Sequence, residues 1–570
     1  MFALAILGSF VLYLVIGAVV GRSVKTTDDY YVSGRNAPTF LVAGTLVASF
    51  VSTVSFMGEL GFSYDGFAVP MLLLASINIS GYAIGVLAFG RYLRRSEALT
   101  VPEYFGQRFN SKTIQAVAGF MVVIGIGLYL VSVSHGLALI ISQLVDLPQW
   151  VIMVTVWIAY TVFTLLSGSK GILINDTIMF VVFTIAAVVG MSFVIAAAGG
   201  PIAATEKMAQ LISKPDGISW HGVTGEGAYM GSPTEVLIYS VTLGIVWALV
   251  VAVSPWQSSR FLMARNEHVA IRSGMFATGS LIVLYLFLTL GGFAINLINP
   301  NIEPSEVAFI WVAQNHLPGV IGIVIVTGIV AAGLSSAASF LSIVGFSAAN
   351  DILPAFSNRR EFSTATPGQI ESGGLAKRGR DQRTKTASID VDFARSVDKQ
   401  KLRTSRNVML IVSVVVLTLT FITPPVVLTI AYFAATLFGA AWGPVAICST
   451  QSRRITARGA LWGMIGGFVV AAAVQAVDEF TEIQLPTLAN PVILGLAACV
   501  LGILLGNFRN QPTPEELAYF EKLQQTPESE HNPERVRGTG IMAWSVIGIC
   551  FLVFVALVFF YAIPYGQTIG

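Results

Sequence analysis

The chain has 570 residues, of which 55% are hydrophobic and only 11% are charged, and its mean hydropathy is +0.75. Soluble proteins average about 25% charged residues, so this composition excludes a string of soluble domains, a nucleic-acid binder and a secreted disulfide scaffold. Apolar runs near the length that crosses a bilayer core, about 20 residues, recur along the chain. We therefore expect an all-α polytopic membrane protein.

About 14 transmembrane helices are predicted from these apolar runs and the loops between them. The first run has no basic start and no small-residue cleavage site, so we interpret it as a retained helix rather than a signal peptide. In chain order the predicted spans are residues 2–21, 39–60, 66–90, 113–141, 149–167, 172–198, 236–254, 273–297, 318–348, 406–422, 425–447, 459–477, 489–506 and 540–563.

Lysine and arginine give the predicted orientation. If the first helix runs from outside to inside, every Lys and Arg except Lys207 and Lys214 falls in an inner segment, Arg260 among them. Basic residues concentrate in the cytoplasmic loops of membrane proteins. We therefore expect a multi-pass protein of the cell membrane with both termini outside.

Three loops are long enough to carry structure of their own. Residues 199–235 are predicted to form an external loop with short helices. Residues 350–405 are predicted to form a cytosolic disordered loop, since their polar centre cannot bury enough apolar surface to order itself. In the cytosolic loop 507–539, Thr513 and Glu516 form a capping box around Pro514, which predicts a helix over 514–524.

Charges inside membrane spans are costly, so the few that occur are functional candidates. Asp176 lies near the start of the 172–198 span. Its carboxylate either binds a cation or stabilises the positive end of its helix. Glu59 lies toward the outer end of the 39–60 span, where it is a candidate gate or proton-binding group. The alternative for Glu59 is a partly hydrated carboxylate at a helix end.

Hydroxyl side chains cluster in two of the spans. In the 318–348 span, Ser335, Ser339 and Ser342 share one helical face, with Ser336 beside them. Small residues of this kind allow close helix packing, but their oxygens also suit sodium, a hard cation. In the 39–60 span, serines and glycines predict an unwound stretch near residues 48–55.

A second break is predicted where Pro255 interrupts an apolar run. Broken helices at corresponding positions of two halves mark the midplane site of inverted-repeat transporters. Tyr129, Ser132 and His135, spaced three apart, form a polar stripe on the 113–141 span. This stripe either lines a cavity or, at His135, contains a structural histidine with its own partner.

Four sequence motifs resemble those of one transporter family. They are TTDDYYVSGRN after the first span, TVPEYFGQRF, SPWQSSRFLMA, and LFGAAWGPVAI followed by RRITARGALWGMIGG. Together they resemble the sodium:solute symporter family, which includes proline, sugar, sialic acid, pantothenate and acetate carriers, over about residues 1–480. The resemblance implies a leucine-transporter-type fold.

That fold is a five-plus-five inverted repeat with one helix before it and three after. It divides this chain into residues 1–38 (first helix and cytosolic loop), 39–198 (first repeat), 199–235 (external loop), 236–447 (second repeat) and 448–570 (three C-terminal helices).

The resemblance also implies a sodium ion between the broken first core helix and the eighth. The implied ligands are the backbone carbonyls of Ala48, Val51 and Ala332 and the hydroxyls of Ser335 and Ser336.

Some family members bind a second sodium ion through an aspartate and neighbouring serines. Asp176, Ser335 and Ser339 match those positions and make a candidate second cation site. Ala338 stands where a further serine is expected.

The expected solute pocket lies between the two breaks and the 113–141 span. SYDG at Ser63–Gly66 resembles the acetate-carrier branch and favours a small monocarboxylate, whereas Phe50, where relatives carry Asn or Asp, argues against known sugar or proline pockets. The core spans contain no Lys or Arg at mid-depth, which disfavours a large polyanion. The predicted lining residues are Phe50, Ser52, Ser55, Tyr129, Ser132, His135, Pro255 and Trp256.

The expected function is therefore sodium-coupled symport of a small organic solute by alternating access, with no organic cofactor, no nucleic acid and no obligate partner protein. One alternative is a proton-coupled carrier of the same fold that uses Glu59 or Asp176. Sodium-coupled uptake of an amino acid or another zwitterion, and a transporter-like sensor, are further alternatives. A membrane enzyme is disfavoured because the sequence shows no clustered catalytic His, Asp or Cys.

Overall fold

The computed structural model describes residues 2–356, 380–423, 427–481 and 489–570. Within these residues the chain forms helices and no strand, and a single β-bridge joins Ala37 to Ala264. Eleven of the described helical runs are long and apolar enough to cross a membrane, and two shorter helices are also apolar. The structure thus confirms an all-α polytopic architecture.

We number the helices in chain order. The first half contains α1 (Phe2–Gly21), α2 (Thr27–Val32), α3 (Thr39–Phe50), α4 (Val54–Ser96), α5 (Val101–Arg108), α6 (Lys112–Ser142), α7 (Gln149–Ala197) and α8 (Pro201–Ala209). The second half contains α9 (Pro233–Val253), α10 (Pro255–Leu262), α11 (Glu267–Ala294), α12 (Gly319–Ser347), α13 (Arg380–Ile422) and α14 (Val427–Gln451). The C-terminal part contains α15 (Ala457–Phe480), α16 (Pro491–Asn507), α17 (Pro514–Gln524) and α18 (Pro533–Leu557).

Both predicted helix breaks are present. The helix α3 ends at Phe50, Val51 is extended with ψ 113°, and α4 begins at Val54. In the second half, Ser254 leaves the helical region with ψ 145°, between the end of α9 and the start of α10 at Pro255. Hydroxyl-rich sequence and proline each weaken helical hydrogen bonding, which explains why the chain unwinds at these positions.

Glycine allows a third interruption, inside α7. Gly168 has φ 52° and ψ −157°, a conformation that L-residues avoid. A Cβ atom at this position would lie 2.4 Å from the ring of Tyr30 and 2.8 Å from its carbonyl oxygen. The interruption separates the two predicted spans 149–167 and 172–198, which the structure joins without a loop.

The short helix α3 and the long helices α6, α7 and α12 pack together around the first break, while α4 packs against α9 and α11. Between α4 and α9 the backbones approach closely, because a Cβ atom on Gly81 would lie 2.2 Å from the carbonyl oxygen of Ala248. In a bilayer such small residues promote helix association by letting backbones meet. The packing places α3 and α12 side by side.

Parts of the segment 350–405, which is predicted to be a disordered cytosolic loop, are helical in the structure. Residues 350–356 are helical, and α13 begins at Arg380, so both ends of the predicted 350–405 loop differ from the expectation. Residues 357–379 lie outside the described residues. Contacts with α2 explain the ordered end, since Thr27 Oγ1 donates to Asp398 Oδ1 at 2.5 Å and the hydroxyls of Tyr31 and Ser405 are 2.7 Å apart.

The two other loops contain the predicted short helices. The helix α8 lies within residues 199–235, and α17 begins at Pro514 as the sequence predicts. At its start, Glu516 N donates to Thr513 Oγ1 at 3.3 Å and Thr513 N donates to Glu516 Oε2 at 2.9 Å. This reciprocal pair is the predicted capping box.

Candidate cation and solute site

The break after α3 releases backbone carbonyls beside α12. Val51 N makes the last helical hydrogen bond of α3, to Val47 O at 2.9 Å, so the carbonyls that follow lack a partner in the next turn. Ser336 Oγ of α12 lies 3.3 Å from Ala48 O and 3.5 Å from Val51 O. All three residues are buried. The structure therefore brings the Ser336 hydroxyl close to two of the backbone carbonyls that are predicted to bind sodium.

A second group of oxygens surrounds Asp176, which is fully buried in α7. Its Oδ1 accepts a hydrogen bond from Ser335 Oγ at 2.7 Å, and its Oδ2 accepts from Thr45 Oγ1 at 2.5 Å and Ser339 Oγ at 3.2 Å. Three hydroxyls from α3 and α12 thus hold the carboxylate. We call Thr45, Asp176, Ser335 and Ser339 the Asp176 cluster.

This arrangement differs from the predicted ligand sets in one respect. The hydroxyl of Ser335 is bonded to Asp176, while its neighbour Ser336 faces the carbonyls of α3. Ala332 is buried one turn earlier on α12. Sequence reasoning missed Thr45, although a hydroxyl four residues before Ser49 on an apolar helix was an available signal.

Several predicted solute-lining residues lie around the two breaks. The ring of Phe50 is 5.9 Å from the rings of both Tyr82 and Tyr285. Trp256, at the start of α10, makes an edge contact with Tyr129 at 5.7 Å between ring centres. Ser52 Oγ accepts from Val54 N at 3.1 Å. Phe50, Ser52 and Trp256 are buried and lie at the two breaks, where the sequence predicts the solute site.

The polar stripe on α6 is only partly brought to this region. Ser132 is buried beside Tyr129 on the same helix. His135 Nε2 instead lies 3.1 Å from Thr423 Oγ1, just beyond the end of α13. This contact favours the alternative of a structural histidine with its own partner. Pro255, the first residue of α10, is also buried.

Glu59 is the acceptor of a buried network that joins three helical elements. Its carboxylate accepts a hydrogen bond from Tyr285 Oη of α11, and its Oε1 accepts from Tyr432 Oη of α14 at 3.2 Å. Ser55 Oγ lies 3.0 Å from Tyr285 Oη. Glu59 is 8% exposed, so the alternative of a partly hydrated carboxylate does not fit. The tyrosines were not predicted, although a buried tyrosine usually needs a hydrogen-bond partner.

Arg260 is a further buried charge near the site. It lies in α10, five residues after Pro255, and is 0% exposed. Sequence analysis placed it in an inner polar segment, because the apolar run ends before it. The second break explains the difference, since it carries the chain into α10 within the packed bundle.

Many apolar spans, two broken helices and converging oxygens at one break together define a membrane transporter. The profile of the family described as "SSF: Sodium:solute symporter family" matches residues 30–363 and 391–467. The chain therefore belongs to the sodium:solute symporter family, whose members are transporters rather than enzymes.

Several known symporters are similar to this chain at low sequence identity. The chain is 23% identical to the sodium/proline symporter of Salmonella typhimurium over 530 residues, which cover 89% of this chain and 93% of that protein. It is 22% identical to the sodium/pantothenate symporter of Haemophilus influenzae over 315 residues, 53% of this chain and 63% of that protein. A solved Na+-coupled sialic acid symporter has 15% identity and a TM-score of 0.69, covering 90% of this chain and 98% of the other. That likeness establishes a shared fold.

Proposed function

We propose that this protein couples the inward gradient of sodium to uptake of a small organic solute by alternating access. The observation that carries the proposal is the convergence of Ser336 Oγ with Ala48 O and Val51 O at the break after α3. Sodium is a hard cation that binds several oxygens, so it would be held at this point and would tie α3 to α12. The proposed ligands are Ala48, Val51, Ala332, Ser335 and Ser336.

The proposal includes the five-plus-five arrangement of about 14 spans, with both termini outside and the basic loops in the cytosol. Two breaks at corresponding positions of the two halves support it. The Asp176 cluster is the proposed second cation site. The proposed solute pocket is lined by Phe50, Ser52, Ser55, Tyr129, Ser132, Pro255 and Trp256, with His135 at its margin.

We infer a small monocarboxylate as the solute. Proline, pantothenate and sialic acid, the solutes named for three similar proteins, each carry one carboxylate, whereas glucose, named for a relative that is 24% identical over 158 residues, carries none. Backbone N–H groups at a helix break can hold such a group. Amino acids and other small zwitterions fit the same reasoning.

The second candidate is proton coupling by the same fold. The buried Glu59, bonded to two tyrosines from other helices, favours it as a specific observation, and Asp176 is the other carboxylate that could carry the proton. Uptake that follows pH and ignores sodium would distinguish this candidate.

The test is the melting temperature of the detergent-solubilised protein with small carboxylates, amino acids and sugars, each in sodium and in choline. A rise that needs both sodium and one carboxylate is the expected result. A rise with a solute that is equal in choline would replace sodium coupling by proton coupling, and a response only to sugars would overturn the proposed solute class.

A further inference from the structure

Arg260 is a buried cation with unused hydrogen-bonding capacity. The residue is 0% exposed, and its Nε and Nη2 atoms are buried with no hydrogen-bond partner among the described residues. Leaving a buried charged donor without a partner is costly. An arrangement of this kind close to the second helix break points to a ligand that supplies the missing acceptors.

The two unpartnered nitrogens have a specific geometry. Nε and Nη2 form the side-on edge of a guanidinium group, where two N–H bonds point in parallel. A carboxylate matches this edge with two parallel hydrogen bonds, which is the strongest pairing that arginine makes with an anion.

Arg260 borders a cavity of about 20 Å³, which holds about one water molecule in this conformation, so a carboxylate group would enter it only when the surrounding helices separate during alternating access. Arg260 lines a small cavity between α10, the inner half of α12 and the segment before α5, together with Thr100, Ser259, Ser342 and Ser347. The hydroxyl of Ser259 is also buried without a partner among the described residues. The lining therefore combines one positive charge and one unpartnered hydroxyl with apolar side chains such as Leu99, Ile343 and Phe346.

The carboxylate that compensates the charge of Arg260 already accepts hydrogen bonds from other residues. Asp176 interacts electrostatically with Arg260, but its hydrogen bonds come from Thr45, Ser335 and Ser339. A cation bound at the Asp176 cluster would cancel the charge of the carboxylate. Arg260 would then keep its own charge without compensation, and the attraction for an anion in the cavity would increase.

We propose that the side-on edge of Arg260 binds the carboxylate of the transported solute at a second station, inward of the break at Pro255. This inference rests on the proposed function, because it needs an anionic solute. It adds a mechanism of coupling, in which cation binding at the Asp176 cluster and carboxylate binding at Arg260 favour each other. It also explains how a buried arginine fits a carrier of a small anion.

The experiment measures the melting temperature of the solubilised protein in sodium as acetate is added, with acetamide as the uncharged analogue. Wild type is expected to respond to acetate and not to acetamide. Arg260→Gln should weaken the apparent acetate affinity at least tenfold while keeping the response to sodium alone, which shows that it folds. Arg260→Lys keeps the positive charge but lacks the side-on edge, so its acetate affinity should lie between that of wild type and that of Arg260→Gln.

A matched pair of serine variants tests the cavity without changing a charge. Ser259→Ala should weaken the acetate response, whereas Ser258→Ala should not, because Ser258 Oγ donates to the backbone carbonyls of Val253 and Ser254. If Arg260→Gln does not fold, wild-type acetate affinity in both Arg260→Lys and Ser259→Ala would overturn the inference.

The outcomes separate the two proposals. Wild-type acetate affinity in a folded Arg260→Gln variant would overturn the Arg260 station and leave the proposed function intact. Wild type that responds to no monocarboxylate in sodium would overturn the proposed solute class, and the Arg260 station with it.

Discussion

At the residue scale, the sodium proposal depends on one hydroxyl more than on any other. Ser336 is the side chain that meets both freed carbonyls of α3, and Ser336→Ala removes that oxygen with little change of shape. Taking the loss of one oxygen ligand of a cation as comparable to the loss of a hydrogen bond to a charged group, about 1.5–3 kcal/mol, we expect the apparent sodium affinity to fall at least tenfold. The sodium dependence of the melting temperature measures this change.

Ser134→Ala is the control for this variant. Ser134 is buried on α6 and its hydroxyl donates to Leu130 O at 2.8 Å, within its own helix. It should keep the sodium affinity of wild type. Equal sodium affinity in Ser336→Ala and wild type would show that the ion is bound elsewhere.

Asp176→Asn tests the other group of oxygens. It removes a buried negative charge that three hydroxyls and Arg260 stabilise. We expect a lower melting temperature in choline, because breaking a buried charge pair leaves the other charge uncompensated. We also expect a smaller, but not abolished, response to sodium, since the Ser336 oxygens remain.

The effect of acetate on the melting temperature of Asp176→Asn tests the electrostatic link to Arg260 more directly than the effect of sodium does. Because the positive charge of Arg260 then lacks its compensating carboxylate, added acetate should restore part of the melting temperature even in choline. A variant that melts like wild type in choline would contradict the electrostatic link between Asp176 and Arg260.

At the element scale, Glu59 ties α4 to α11 and α14 through Tyr285 and Tyr432. Hydrogen bonds to a carboxylate are about twice as strong as neutral ones, so Glu59→Gln should loosen this connection. We expect the outer side to open more often. In a background with the three cysteines replaced by alanine, the labelling rate of Phe50→Cys by a membrane-impermeant thiol reagent should rise about tenfold, which corresponds to about 1.4 kcal/mol.

Two further variants give this prediction its controls. Tyr432→Phe removes one of the donors and should increase labelling less than Glu59→Gln. Tyr104→Phe should not change it, because the Tyr104 hydroxyl pairs with Ser449 at 2.8 Å, away from Glu59. Unchanged labelling in Glu59→Gln would mean that this network does not hold the outer side closed.

The breaks and the short helices could be predicted from the sequence because their causes are local. Proline at 255, the serines after Ala48 and the capping box at Thr513 act on their own backbone. The partners of buried charges could not, because they come from distant segments. Thr45, Tyr285 and Tyr432 look like ordinary members of apolar helices until the fold brings them to Asp176 and Glu59.

Contacts between distant segments also explain why the burial of Arg260 and the helical part of the 350–405 loop could not be predicted from the sequence. A basic residue after an apolar run is typical of a membrane-water boundary, and only the turn into α10 buries it. The early start of α13 depends on contacts with α2. These contacts join segments that are far apart in the sequence, so a polar composition does not reveal them.

At the scale of the whole molecule, two helices of the C-terminal part differ in how closely they contact the core. The helix α17 is held under α5, where the buried guanidinium of Arg108 donates to Ser449 O at 2.7 Å and Glu516 O at 3.2 Å. Arg95 also donates to Leu523 O at 2.7 Å. In contrast, α18 has no buried residue among those described and packs mainly against α11.

Truncation after Asn532 removes α18 and the helical residues 558–569 that follow it, whose hydrogen bonds reach only Thr205 and Ile218 among the side chains and carbonyls of residues 199–235. It should keep the sodium-dependent rise in melting temperature and the uptake of wild type. Truncation after Asn507, which also removes α17, takes away the Glu516 acceptor of Arg108 and the Leu523 acceptor of Arg95, while Arg108 keeps its hydrogen bond to Ser449 O. Such a loss costs about 1–3 kcal/mol for each unsatisfied group, and the shorter chain should melt earlier with a weaker sodium response. Equal melting of the two truncated chains would show that α17 does not stabilise the transport core, whereas loss of the sodium response on removing α18 alone would place that helix within it.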